Sequence, residues 1–132
     1  MSLRPRVPEP VGPHAEFYEH AASGVLHLQR CRECGRYQQP PRYRCPGCGG
    51  DSLEWHPSGG TGVLYSWTVT HRVVDRGWSD TPYATGVIEL DEGVRLVGAL
   101  SVPREARVLG LPLAVALAPM TDTFVFLTLE RR

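Results

Sequence analysis

The chain has 132 residues with 14 basic and 14 acidic side chains, which bounds it to one ordinary domain or two very small ones sharing an interface. Balanced charge excludes an overall field for nucleic acid or an anionic membrane, and no apolar run reaches the roughly 20 residues that a membrane span needs. Every basic residue is arginine, so each cationic contact is a guanidinium suited to bidentate recognition of phosphate or carboxylate.

Residues 1–13 carry four prolines and few apolar side chains, which predicts a flexible arm. The opening "MSLRPRVPEPVGPH" has arginines but neither an apolar core nor a small-residue cleavage site, so it does not read as a secretory signal and a cytoplasmic location is expected. In "HAEFYEHAASG", Phe17, Tyr18, Ala21 and Ala22 recur at helical spacing and Gly24 supplies a stop. A helix this short is unstable alone in water, so it must dock on something. "VLHLQRC" reads as a strand leading into the first cysteine pair, the cysteine block runs to about Trp55, and "HPSGGTG" reads as a linker.

"GVLYSWTVTHRV" then shows period two. Val63, Tyr65, Trp67 and Val69 share one face and Ser66, Thr68, Thr70 and Arg72 the other, which predicts a half-buried strand. "VVDRGWSDTP" reads as a loop carrying Trp78, and "YATGVIELDEGVRLVGALSV" as a hairpin turning at Asp91, Glu92 and Gly93. "PREARVLG" is a connector, followed by strands in "LPLAVALAP" and "TFVFLTLE". The fold class is therefore mainly β, and its five C-terminal strands match a five-stranded OB-fold barrel best, with a small sandwich as the alternative.

All four cysteines lie in "CRECGRYQQPPRYRCPGCGG", as Cys31-x-x-Cys34 and Cys45-x-x-Cys48, each pair followed by glycine. Ligands three positions apart sit on one tight turn, and the glycine supplies the left-handed backbone that such a knuckle needs. Two facing knuckles give four thiolates in a tetrahedron, which suits zinc and also the single iron of a rubredoxin-type site. A reducing compartment argues against disulfides, and neither pair has the βαβ context of a thioredoxin motif. Four sulfurs leave no open position on the metal, so the block is structural rather than catalytic. His27 and His56, which flank it, read as a strand and a linker histidine.

No nucleophile elbow, Walker loop or zinc-protease helix is present. His71 with Asp75 and Asp80 is the one acid–base grouping, and a strand-end histidine beside a polar loop is common without function. Arg30, Arg32, Arg36, Arg42 and Arg44, interleaved with Tyr37 and Tyr43, form a basic ribbon opposed only by Glu33. Such a ribbon suits a solvated face, single-stranded nucleic acid, or the nucleotide of a cofactor such as coenzyme A.

The helix with Phe17-Tyr18, "GVLHLQRCRECGRYQQPPRYRCPGCGG", "GVLYSWTVTHR" and "PYATGVIELDEGVRLVGAL" together resemble a family of small bacterial and archaeal proteins. These join a rubredoxin-like zinc ribbon to an OB-fold and are associated with acyl-CoA metabolism. The resemblance covers nearly all of residues 15–120. It implies residues 1–24 as arm and docking helix, 25–57 as the zinc ribbon and 58–132 as the OB-fold. It implies zinc, with iron as the alternative, on Cys31, Cys34, Cys45 and Cys48. It also implies a non-catalytic accessory subunit of a thiolase-like or aldolase enzyme, in some cases beside a hot-dog-fold hydratase. On this reading Phe17 and Tyr18 meet the partner, Arg42, Arg44 and Arg72 contact the acyl-CoA ligand, and nucleic-acid binding is the competing function. The tail after Pro119 is shorter and more apolar than in many relatives.

Overall fold

The computed structural model describes residues 7–72 and 82–132. The loop with Trp78, and the acidic residues Asp75 and Asp80, lie outside the described residues.

Ten residues with proline at the first helical position and no β-branched side chain form α1 (Pro13–Ala22). Gly12 caps it with φ 60°, and a Cβ there would collide with the Tyr43 hydroxyl, so only glycine serves both needs. The ribbon holds β1 (His27–Cys31), β2 (Tyr37–Gln38) and β3 (Leu53–Pro57), in spatial order β2-β1-β3. β3 is a correction to the expected organisation, in which the cysteine block runs to about Trp55 and a linker begins at His56 with no strand between. "LEWHP" has too few residues to show a period, and it becomes a strand by pairing antiparallel with all of β1, from His27 with Pro57 to Cys31 with Leu53.

The remaining strands are β4 (Thr61–Thr70), β5 (Tyr83–Leu90), β6 (Arg95–Ser101), β7 (Pro112–Pro119) and β8 (Val125–Arg131). They close into a barrel in the order β4-β5-β6-β8-β7, with only the β6–β8 pairing parallel. This is the OB-fold arrangement, in which these five strands form one closed sheet rather than the two packed layers of a sandwich. Ala84, Ile88, Leu90, Leu96, Leu100, Val125, Leu127 and Leu129 fill its interior. The bore is narrow: a Cβ on Gly86 would press on Leu129 and Leu100, and one on Gly98 on the Leu127 carbonyl.

β4 departs from the expected single apolar face. Its pairing with β5 shifts between Leu64 and Ser66, a β-bulge. Before the bulge Leu64 points inward against Ile88, leaving Val63 and Tyr65 exposed. After it Trp67 and Val69 pair with the inward-facing Gly86 and Ala84. One inserted residue therefore moves the odd-numbered positions from the outer to the inner face halfway along the strand.

The docking helix finds its dock on its own chain. Phe17, Ala21, Leu26 and Leu28 belong to the same buried cluster as Leu64, Ile88 and Leu113 of the barrel. Phe17 is 2% exposed and its ring meets Tyr18 edge-on at 5.1 Å and Trp55 at 6.4 Å. Tyr18 is half-buried, with its ring 4.8 Å from that of Phe124. The expected partner-facing Phe17 is thus corrected: its ring is used inside the chain.

Phe17→Ala is expected to cost roughly 3–5 kcal/mol of stability through the cavity it leaves. A urea midpoint that falls at constant m-value would show this. A loss under about 1 kcal/mol would place the ring outside the core.

Candidate metal centre

The two knuckles are built alike because they share a sequence, "RCRECG" and "RCPGCG", each residue of the second lying 14 positions after its counterpart. The Cys31 N–H donates to the Arg36 carbonyl at 2.9 Å, and the Cys45 N–H to Gly50 at 2.8 Å. The Gly35 N–H returns to the Cys31 carbonyl at 2.9 Å, and the Gly49 N–H to Cys45 at 2.8 Å. Gly35 and Gly49 take φ of 77° and 76°, the left-handed turn that closes each loop.

The four sulfurs all lie within 4.8 Å of one another. Cys31 and Cys48 Sγ are 3.6 Å apart, Cys34 and Cys45 Sγ 3.5 Å. A disulfide would need about 2 Å. A tetrahedral ion with metal–sulfur bonds of about 2.3 Å sets sulfurs about 3.8 Å apart. The donor set thus fits a metal ion on Cys31, Cys34, Cys45 and Cys48. Such an ion supplies cross-linking alone, because four thiolates complete its coordination.

Backbone polarity prepares the site. The Cys48 N–H, opposed by burial and aided by the Gly47 N–H 3.3 Å from its sulfur, holds the Cys45 thiol down to about 7. Despite the Gly50 N–H that favours its thiolate, Cys48 is pushed up to about 12 by sharing its neighbours' sulfurs and by burial. Four thiolates this close repel, and a cation removes the conflict.

The ribbon arginines are partly taken up by the same architecture. Arg30 Nε donates to the Gly35 carbonyl at 3.1 Å and Arg44 Nη1 to the Gly49 carbonyl at 3.2 Å, so each knuckle is clasped by the arginine preceding it. Arg32 pairs with Glu54 at 3.0 Å, and Glu54 also meets His56 Nε2 at 2.6 Å. The repeated Arg-Cys in the sequence was the signal for this clasp. Gln29, buried on β1, grips the backbone of Arg42 twice, donating to its carbonyl at 2.9 Å and accepting its N–H at 2.8 Å. That grip fixes the segment on which Tyr43 stands 75% exposed. Arg42 lines a groove with Glu16 and Trp55, whereas Arg72 follows the end of β4 on the barrel. The three arginines expected to contact a ligand therefore lie on two different units. His71 is exposed and brings no acidic partner with it among the described residues.

Two family models match in tandem: the "ChsH2, rubredoxin-like zinc ribbon domain" over residues 19–54 and the "ChsH2, C-terminal OB-fold domain" over residues 55–118. A "Probable enoyl-CoA hydratase alpha subunit" of Thermomonospora curvata is 36% identical over 96 residues, 73% of this chain and 30% of that protein. The "Benzoylsuccinyl-CoA thiolase subunit BbsA" of Thauera aromatica is 32% identical over 90 residues, 66% of this chain and 61% of its own length. In both, the aligned part is less than two thirds of the relative. Among solved structures, a chain of the "Ltp2-ChsH2(DUF35) aldolase" superposes with TM-score 0.84 at 27% identity, covering 94% of this chain and 98% of its own.

The purified protein is expected to hold one metal ion per chain, and Cys45→Ala to lose it together with ribbon structure. Because bound ligands must be deprotonated, metal binding should release protons, and apparent affinity should fall as pH is lowered. Elemental analysis and a pH-resolved competition with a chelator check both. A metal-free chain with an unchanged urea midpoint would contradict the site.

Proposed function

Because the chain belongs to the ChsH2 family, whose zinc-ribbon and OB-fold domains it carries in order, we propose that it is a non-catalytic subunit that binds and stabilises a thiolase-like enzyme, of acetyltransferase or aldolase type, acting on acyl-CoA esters. The observation that carries this reading is the end-to-end superposition on a chain of an aldolase complex. The relative named as a thiolase subunit supports the same class of partner, and the one named as a hydratase subunit supports a hydratase as a further member of the assembly. The closed sulfur site supports a structural role, and zinc is the ion proposed for it, in keeping with the zinc-ribbon description of that segment. The functional division proposed is residues 1–24, 25–57 and 58–132.

No helix among the described residues is long and apolar enough to cross a membrane. A cytoplasmic setting suits four cysteines that must stay reduced to bind metal.

With Phe17 committed to the core, Tyr18 is the aromatic of the pair left for a partner. It borders an apolar groove of about 260 Å³ shared with Val97 and Leu127. Val97 is 58% exposed on the outer barrel wall, and the exposed Val63 and Tyr65 lie on that wall. Single-stranded nucleic acid is the weaker reading, since Arg30, Arg32 and Arg44 already hold internal partners.

Isolation of the native protein from its source, with mass identification of what co-elutes, tests the proposal. A stoichiometric thiolase-like or aldolase partner is expected, and Val97→Asp should weaken the association at least tenfold without moving the urea midpoint. A chain that elutes alone, or with nucleic acid removable by salt, would overturn the reading.

A further inference from the structure

The four sulfurs differ in access. Cys31 is 0% exposed and Cys45 2%, whereas Cys34 and Cys48 are exposed. Each exposed cysteine sets its sulfur beside that of a buried one on the other knuckle: Cys48 Sγ is 3.6 Å from Cys31 Sγ, and Cys34 Sγ is 3.5 Å from Cys45 Sγ. The 14-residue correspondence between the knuckles exchanges these two contacts, so both have the same build. All four cysteines are free thiols.

An accessible thiolate with a second thiolate behind it is the arrangement that reversible two-electron oxidation needs: the first takes the oxygen and the second resolves it. Here the resolving sulfur belongs to the other knuckle, so the bond that forms ties the knuckles together. The chain separations are 17 residues for Cys31 with Cys48 and 11 for Cys34 with Cys45, the second loop nested in the first. Links across loops of this size restrict the unfolded chain more than a link inside one Cys-x-x-Cys turn. They also join the end of β1 to the segment before β3, as a bound ion does.

We propose that the cysteine centre is a reversible redox lock, which hydrogen peroxide converts to two crossed disulfides, Cys31–Cys48 and Cys34–Cys45, with release of the ion and retention of the ribbon. The Cys48 thiolate attacks one peroxide oxygen and the O–O bond breaks, leaving a sulfenic acid on Cys48 and a hydroxide. The Cys31 thiolate then attacks that sulfur, the S–O bond breaks, and a second hydroxide leaves. Two electrons pass from the sulfur pair to the peroxide, and both hydroxides take protons from solvent to become water. Cys34 and Cys45 repeat the sequence with a second peroxide, after which no thiolate is left to hold the ion. A dithiol reverses both bonds and is itself oxidised.

The test titrates the zinc-loaded full chain with hydrogen peroxide while a chromogenic chelator follows the metal. One zinc is expected to leave for two peroxides consumed, and dithiothreitol with added zinc should restore the starting form. Trypsin then reads the pairing after unfolding without reductant, because Arg32 separates Cys31 from Cys34, and Arg36, Arg42 and Arg44 separate the knuckles. Peptide masses, with fragmentation between Cys45 and Cys48, should show the crossed pairs. The oxidised, metal-free chain should also have a higher urea midpoint than the reduced, chelated one. Pairs Cys31–Cys34 and Cys45–Cys48, sulfinic or sulfonic acids that dithiothreitol does not reverse, zinc retained through excess peroxide, or a midpoint no higher than that of the reduced, metal-free chain would overturn the proposal.

Discussion

Four sulfurs held within 4.8 Å of one another are the constraint on which the ribbon depends. Without a cation they cannot all ionise, and the knuckles that present them lack apolar side chains to hold each other in place. Cys31 ends β1 and Cys45 and Cys48 lie on the excursion before β3, so an ion bound there ties the ends of the ribbon sheet. β1 in turn carries Leu28 into the core and Gln29 onto the backbone of Arg42. Metal, sheet and exposed tyrosine are thus one connected construction.

The second organising feature is the sharing of one core between unlike parts. Phe17 and Ala21 of the helix and Leu28 of the ribbon pack with barrel leucines, and Tyr18 meets Phe124 at the β7–β8 end. A 10-residue helix with no side-chain cap gains its stability from that burial. Burial of the helix on its own chain also decides what a partner can touch. The groove beside Tyr18 and the outer barrel wall remain, while the aromatic deepest in the helix does not.

The four-cysteine cluster and the barrel were legible because both are local patterns: paired cysteines with a following glycine, and period-two strands joined at Asp91, Glu92 and Gly93. The bulge was not legible. Val63, Tyr65, Trp67 and Val69 continue an unbroken alternation, and only the pairing with β5 shows that the strand changes face between them. β3 was missed because five residues ending in proline become a strand through a long-range partner, β1. The roles of Arg30 and Arg44 were within reach, since "RC" opens each knuckle, but a basic cluster was read as a surface rather than as a clasp.

A structural role for the four-cysteine cluster requires that the bound ion's coordination be closed, since an open coordination position would make this chain a candidate catalyst rather than the supporting subunit proposed. X-ray absorption at the metal edge measures this directly, on the chain alone and again with the proposed enzyme partner and acyl-CoA added. Four sulfur scatterers at about 2.3 Å, unchanged by partner or ligand, is the result expected of a structural site. A lighter oxygen or nitrogen atom in place of one sulfur, or a shell that changes on adding acyl-CoA, would contradict it.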